Sequence, residues 1–272
     1  MKPSQTDQTR GILNPNAMGR EFSLSRVKPA LDLWPFIEHF WIVTWNLRKP
    51  YVSETLPFPS VHIVIEKGHR EINGVLTSKF SRSLQGRGRA FGIKFRPGMF
   101  YPFLKSPVSE LTDQVVSLRS IFGNEGSKLR KLVLEEEDIK KCIHHGETFF
   151  RTRLPECETS SALKIRDLIE EIAANRNITR VEQVALMMGL TLRPLQRAFQ
   201  RHAGVSPKWV INRYRLQEAA DMLANDLDLK MSDLALQLGY FDQAHFIRDF
   251  KSTIGKTPLE YKNGALKSKA KS

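Results

Sequence analysis

Apolar residues recur at helical spacing in the second half of the chain, and the same pattern is written twice. Val181, Val184, Ala185 and Met188 fall at the three-and-four intervals of one helical face and are followed by Gly189. Met231, Leu234, Ala235, Leu238 and Gly239 repeat them at a displacement of 50. Past the glycine the displacement becomes 51: Leu195, Arg197, Phe199, Gly204, Ser206 and Pro207 return as Phe246, Arg248, Phe250, Gly255, Thr257 and Pro258. A repeat that keeps apolar spacing and turn glycine describes one structural unit made twice, here two short helices around a tight turn that is one residue longer in the second copy. Gly189 can end a helix at positive φ, Thr191 has the oxygen of an N-cap, and Pro194 is tolerated in a first helical turn. Gly239 and Asp242 take the same parts in the second copy. Between the copies, Pro207 to Asn225 predicts one long helix with Trp209, Val210, Ile211, Tyr214, Leu216, Ala219, Ala220 and Leu223 as its apolar face. At about 1.5 Å per residue such a helix spans much of the roughly 34 Å between successive major-groove segments of a duplex.

The first half follows a different period. Residues 36–46, 61–66, 71–77 and 89–96 are β-branched or aromatic segments separated by Pro, Gly and Ser, which predicts strands in a curled sheet or small barrel. From Val115 to about Arg153 the spacing turns helical, with Leu129, Leu132, Val133 and Ile139 on it and a solvated acidic run at 135–138. The break at 154–161 precedes a new amphipathic helix over 162–174. The expected fold class is therefore α+β: a mostly-β N-terminal domain with following helices, then an all-α domain of two helix-turn-helix units joined by a long helix. The expected boundaries are a poorly ordered or peripheral segment 1–32, a regulatory domain 33–153, a linker 154–161, a DNA-binding domain 162–263 and a basic tail 264–272.

The second helix of each copy separates its faces. Leu195 and Phe199 point inward in the first, leaving Arg193, Gln196, Arg197 and Gln200 outside; Phe246 and Phe250 point inward in the second, leaving Gln243, Ala244, His245, Ile247, Arg248 and Lys251. Arg can engage guanine bidentately and Gln adenine, and either can contact phosphate instead. An exposed basic face alone is commonly just solvated; the duplicated turn in front of it points to duplex DNA.

These residues carry a family resemblance over 160–262. The sequence from Ala185 to Gly189, then TLRPLQRAFQRHAGVSP, YRLQEAADML and LALQLGYFDQAHFIRDFKSTIGKTPLEY, resembles the DNA-binding domain of AraC/XylS-type transcriptional regulators. The resemblance implies two helix-turn-helix units on a long helix, with the first recognition helix setting sequence preference. By position, Thr191, Arg193, Gln196, Arg197 and Gln200 are then the candidate DNA contacts of the first copy, and Gln243, Ala244, His245, Arg248 and Lys251 those of the second. Ala244 departs from members with a long polar side chain there, so the second helix is expected mainly to position phosphate. Lys230 departs from the small polar cap common before the second unit. In the first half LWPFIEHFWIV, the turn at Leu56 to Pro59, VHIVIEKG and FGIKFRPGMFYPFL resemble an N-terminal domain of undescribed activity attached to many AraC-type regulators, over about Leu33 to Gly123. That resemblance implies small-molecule sensing or dimerisation. A candidate effector pocket would draw on Trp41, Trp45, Phe58, His62, Phe95 and Arg96, as apolar walls with a few polar groups suit a ligand; the same aromatics would also serve as ordinary core.

Charge and cysteine content bound this picture. The net charge is +13 over 272 residues. From Thr159 onward 18 Lys and Arg face 12 Asp and Glu, a surplus of 6, so 7 lies before it and charge does not locate the DNA-binding part. It does favour phosphate, with affinity falling as salt rises. The first 25 residues lack a signal-peptide core and no run approaches the roughly 18 apolar residues of a membrane span, so a cytoplasmic protein without membrane contact is expected. Cys142 and Cys157 form neither a disulfide framework nor a zinc motif. His62 and His69 have no carboxylate completing a ligand set, His144 and His145 would diverge on a helix, and Gly86 and Gly88 lead into a strand rather than a phosphate-binding helix. No metal, cofactor or enzyme activity is expected. The expected partners are double-stranded DNA, RNA polymerase, a small-molecule effector of unknown identity and a second copy through the N-terminal domain. The alternative is the same DNA-binding module behind a protein-interaction or dimerisation domain with no effector.

Overall fold

The structure, a computed structural model, describes residues 21–155, 160–225 and 229–269. Parts of the expected segment 1–32, of the linker 154–161 and of the tail 264–272 lie outside the described residues, as does Cys157. The chain divides into two compact units, one of Met1–Asp167 with Arg197–Val205, the other of Leu168–Gln196 with Ser206–Ser272.

The first unit is built on a six-stranded antiparallel sheet of β1 (Phe22–Val27), β2 (Ile37–Thr55), β3 (His62–Ile65), β4 (Ile72–Asn73), β5 (Phe80–Phe95) and β6 (Val115–Val116), in the order β1-β2-β5-β3-β4-β6. The order runs from β1 to β6 without pairing them, so of the two expected forms this is the curled sheet and not the closed barrel. Two strands exceed the hydrophobic pattern. β5 starts at Phe80, well before the expected 89–96, because its polar first half pairs by backbone with the equally polar end of β2, from Tyr51↔Leu84 to Thr55↔Phe80. Backbone pairing carries no hydropathy signature where most side chains are polar, and Leu84 is the one buried side chain of this stretch. β1 lies inside the segment expected to be peripheral and forms the edge of the sheet, with Phe22 buried opposite Trp45.

Period-two alternation gives the sheet two unlike faces. Phe40, Ile93 and Ile63 form one row across three strands, and Ile42, Phe91 and Ile65 the next; all six are buried. Helices cover this face: α1 (Tyr101–Leu104), a 3-10 turn at Val108–Leu111, α2 (Leu118–Glu135) and α3 (Ile139–Arg151). A Cβ on Gly146 of α3 would lie 3.0 Å from Phe40 and 3.4 Å from Ile93, so the helix backbone rests directly on the sheet. Phe95 joins Phe100, Phe103 and Phe150 in edge-to-face contacts with centroids 4.8 to 5.8 Å apart. Buried Glu71 accepts hydrogen bonds from the Leu118 amide at 2.9 Å and Arg130 Nε at 2.6 Å, which ties the start of α2 to β4.

The helical part continues with α4 (Ser160–Ala174), α5 (Val181–Met187), α6 (Leu192–Ala203), α7 (Pro207–Asn225), α8 (Met231–Gln237), α9 (Gln243–Ile254) and α10 (Pro258–Lys269). α7 is the expected long helix, and its Val210, Ile211, Leu216, Ala219, Ala220 and Leu223 are buried. Two arginines are buried with them, which the apolar pattern does not announce. Arg213 donates to Gln217 at 3.1 Å. Arg215, 2% exposed, donates to the Ile172 carbonyl and to Glu218 at 2.8 Å, while exposed Arg176 reaches the same carboxylate at 3.0 Å. Burial pushes the Arg215 guanidinium below its ordinary pKa, against the pull of Glu218. Removing one partner of a buried pair leaves an uncompensated charge, whereas an exposed pair contributes little. Glu218→Ala is expected to lower the stability of the second unit by about 3–5 kcal/mol and Arg176→Ala by under about 1 kcal/mol, read from denaturant midpoints. Equal losses would show that Arg215 does not depend on Glu218.

Candidate nucleic-acid interface

The site begins where two helices must meet within a few residues. A helix leaves its last carbonyls without partners, and a left-handed residue after it can return amides to them. Gly189 has φ +61° and Gly239 φ +81°. In the first copy the Leu190 amide donates to the Ala185 carbonyl at 3.0 Å and Gly189 to Leu186 at 3.1 Å; in the second, Tyr240 donates to Ala235 at 3.0 Å and Gly239 to Leu236 at 3.0 Å. Both turns are the same closed motif. The next helix starts at once. In the first copy the Leu195 amide already bonds to the Thr191 carbonyl, and in the second the Asp242 carboxylate accepts the His245 amide at 2.7 Å. The shared Ser206-Pro207 and Thr257-Pro258 pairs are helix starts as well, since Ser206 Oγ accepts the Trp209 amide at 3.1 Å and Thr257 Oγ1 the Glu260 amide at 3.3 Å. Lys230 opens α8 with no side-chain cap.

The faces fall as the spacing expects. Leu195, Phe199, Phe246 and Phe250 are each 0% exposed, while Thr191, Arg193, Gln196, Arg197, Gln200, Gln243, Ala244, Arg248 and Lys251 are exposed. His245 is less free than its neighbours. Its Nε2 lies 3.5 Å from Asp249 Oδ2 and its ring sits edge-on to Tyr240 at 5.1 Å. The spacing missed Phe241, which is 96% exposed just before the Asp242 cap. The change of displacement from 50 to 51 was the available signal for it.

Comparison with known proteins agrees with this geometry. Residues 184–264 match a helix-turn-helix domain family, and residues 25–117 a domain of unknown function, DUF6597. An uncharacterized HTH-type transcriptional regulator of Haemophilus influenzae is 32% identical over 95 residues, covering 35% of this chain and 32% of its own. The HTH-type transcriptional activator RhaS of Enterobacter sp. (strain 638) is 34% identical over 83 residues, 30% of each chain. The chain thus matches about a third of the length of these curated relatives. A crystal structure of a probable AraC family transcriptional regulator from Rhodopseudomonas palustris is 31% identical over 37% of this chain and 94% of its own; the TM-score is 0.34, so sequence and not superposition carries the likeness. The chain belongs to the AraC/XylS-type transcriptional regulators.

The candidate effector residues of this AraC/XylS-type chain do not all gather. Trp41, Trp45 and His62 lie on the sheet face opposite the helices, with Trp41 over Gly92 and Trp45 over Gly88, where a Cβ would come within 1.8 Å and 2.2 Å of the indoles. Phe58 joins them through Lys94, whose Nζ sits 4.5 Å from its ring. Phe95 points to the other face, into the aromatic core. Arg96 lies past the strand end, where it donates to the Trp34 carbonyl at 2.8 Å and stacks on that indole. Register supplies groups that the spacing did not single out: His39, Lys94 and His62 are side by side across β2, β5 and β3, and Lys94 bonds to Glu38 at 2.9 Å. Burial opposes the Glu38 charge, but Lys94 and His39 outweigh it and hold the carboxyl below its usual range. Burial first, then the Lys94 charge, pushes His62 down to about 3. Among the described residues no group of three or more His, Cys, Asp or Glu could hold a metal, and no helix is long and apolar enough to cross a membrane.

A histidine kept neutral by the fold takes up a proton only on unfolding, so its contribution is complete above the unfolded pKa and lost as pH falls towards the folded one. His62 and His202, the latter pushed down to about 4 by burial and by Arg201, act together over this range. The first unit is therefore expected to lose stability from pH 6.5 down, with His62 contributing about 1–2 kcal/mol of the loss by pH 5. Glu38 adds its own loss only below its ordinary value of 4.5. Thermal denaturation of wild type and His62→Asn from pH 7 to 5 checks this, and a slope unchanged in the variant would exclude His62 as a source.

Proposed function

We propose that this chain is a sequence-specific DNA-binding regulator of transcription, in which α6 reads base edges in the major groove, α9 engages the same duplex, and the N-terminal unit adjusts DNA binding or contact with RNA polymerase. The observation that carries the reading is the duplicated closed turn, each copy followed by a helix with a fully buried apolar face and an exposed polar one. Arg193, Gln196 and Arg197 are the base readers of α6, flanked by Thr191 and Gln200; Gln243, Ala244, His245, Arg248 and Lys251 are the contacts of α9. The net charge of +13 supports attraction to phosphate. The Trp41 and Trp45 face of the sheet, with His62 and the Lys94 and Phe58 pair at its end, is the surface where a small-molecule effector would act. It would shift output only by binding one arrangement of the protein better than another.

A second reading makes the N-terminal unit a protein-interaction or dimerisation module without an effector. Leu31, 90% exposed, and Val52, 55% exposed, are the apolar side chains such a contact would draw on.

Arg197→Ala is expected to weaken binding to the selected site by about 1–3 kcal/mol while sparing random duplex, measured by titration at fixed salt. Equal losses on both would make Arg197 a phosphate contact. Thermal-shift screening of the full chain against small molecules separates the two readings of the N-terminal unit. A native-state ligand raises the midpoint, and loss of that rise in Trp41→Ala places it on this face. A chain that no compound shifts, and that sediments as a dimer broken by Leu31→Asp, supports the second reading.

A further inference from the structure

Phe241 is the most exposed large apolar side chain among the described residues, at 96%, and its position explains why it has nowhere to pack. Between turn glycine and helix cap the first copy has one residue, Leu190, and the second has two, Tyr240 and Phe241. A hydrophobic residue just before a cap ordinarily folds back on the first turn of its helix. Here Tyr240 takes that place: it is buried, with its ring 5.5 Å from Phe246 and 5.1 Å from His245. The additional residue is thereby turned out to water at the mouth of α9. Two positions past the cap, Ala244 is also exposed, where the first copy carries Arg193. The leading end of α9 thus presents a benzyl group and a methyl group where α6 presents a guanidinium, and exposed Arg248 and Lys251 supply positive charge further along the same helix.

The leading residues of a recognition helix are those that reach base edges, and in the major groove the one apolar feature of a base edge is the C5-methyl group of thymine. We propose that Phe241 and Ala244 make α9 a reader of thymine methyl groups, so that the second unit contributes specificity by apolar contact as well as by anchoring to phosphate. The proposal rests on the DNA-binding reading above.

Duplexes selected by the full-length protein from a random pool provide the test. Each thymine is replaced in turn by deoxyuridine, which removes only the methyl, and affinity is measured at fixed salt. Wild type is expected to lose about fourfold per methyl at one or two positions of one half-site, the size of burying a single methyl group. Phe241→Ser, whose side chain is exposed outside the helix, should keep the wild-type melting temperature, and Ala244→Gly should lower it by no more than the few degrees that glycine costs in a helix. Both should bind thymine and uracil versions of those positions alike. Binding that is sequence-specific yet indifferent to every replacement would overturn the proposal, as would undiminished sensitivity in both variants. A Phe241→Ser loss equal on selected and random duplex would make Phe241 a backbone contact and also overturn it. Failure of wild type to select any duplex is a separate outcome, which removes the DNA-binding reading itself.

Discussion

The helical half depends on one constraint: a helix must stop and another start within two or three residues without stranding backbone groups. The amides of Gly189 and Leu190, and of Gly239 and Tyr240, fill the carbonyls that α5 and α8 leave open. The left-handed glycines that permit this fix the direction in which the chain leaves. Once that direction is set, Leu195 and Phe199, or Phe246 and Phe250, have only one side on which to be buried, and Arg193, Gln196 and Arg197 are outside as a consequence. The reading face is the complement of the packing face, and both are set by the turn.

The sheet buries apolar side chains on both faces, against different neighbours. Phe40, Ile42, Ile63, Ile65, Phe91 and Ile93 take the helices, while the other face buries a smaller cluster of Phe22, Trp45, Leu47, Leu84 and Ala90, with indoles lying over glycines and a row of charged and titratable groups. That division gives the two faces different chemistry, with the row of His39, Lys94 and His62 on the second. It also explains why the candidate effector residues part company: neighbours along a strand point to opposite faces, so Phe95 joins the core while Lys94, next to it, faces the indoles.

Legibility followed the range of the forces involved. The two turns, their caps and the inward positions of α6 and α9 were readable because helix hydrogen bonds and side-chain periods reach only three or four residues. The expected strand at 61–66 was close to β3 for the same reason, whereas 36–46 matched only the first half of β2, whose continuation to Thr55 the spacing did not show. The polar half of β5 was not readable, since most side chains from Phe80 to Gly88 are polar or glycine and its pairing with β2 is set by backbone register. Nor were Arg213 and Arg215, whose burial depends on Gln217 and Glu218 nearby but also on the Ile172 carbonyl 43 residues away. Phe241 stands between these cases: the count of residues in the turn exposes an insertion, but only packing shows that Tyr240 and not Phe241 is the one folded back.

By itself the sequence determined that a helix-turn-helix unit is made twice, where each copy turns, and which residues of α6 and α9 are turned outward, because those features are written in contacts between near neighbours in the chain. Only the tertiary structure decided that the sheet stays open, that His39, Lys94 and His62 stand in one row, and that Phe241 is left in water. Each of these depends on pairing or packing between residues that the sequence does not place side by side, and no local period encodes it.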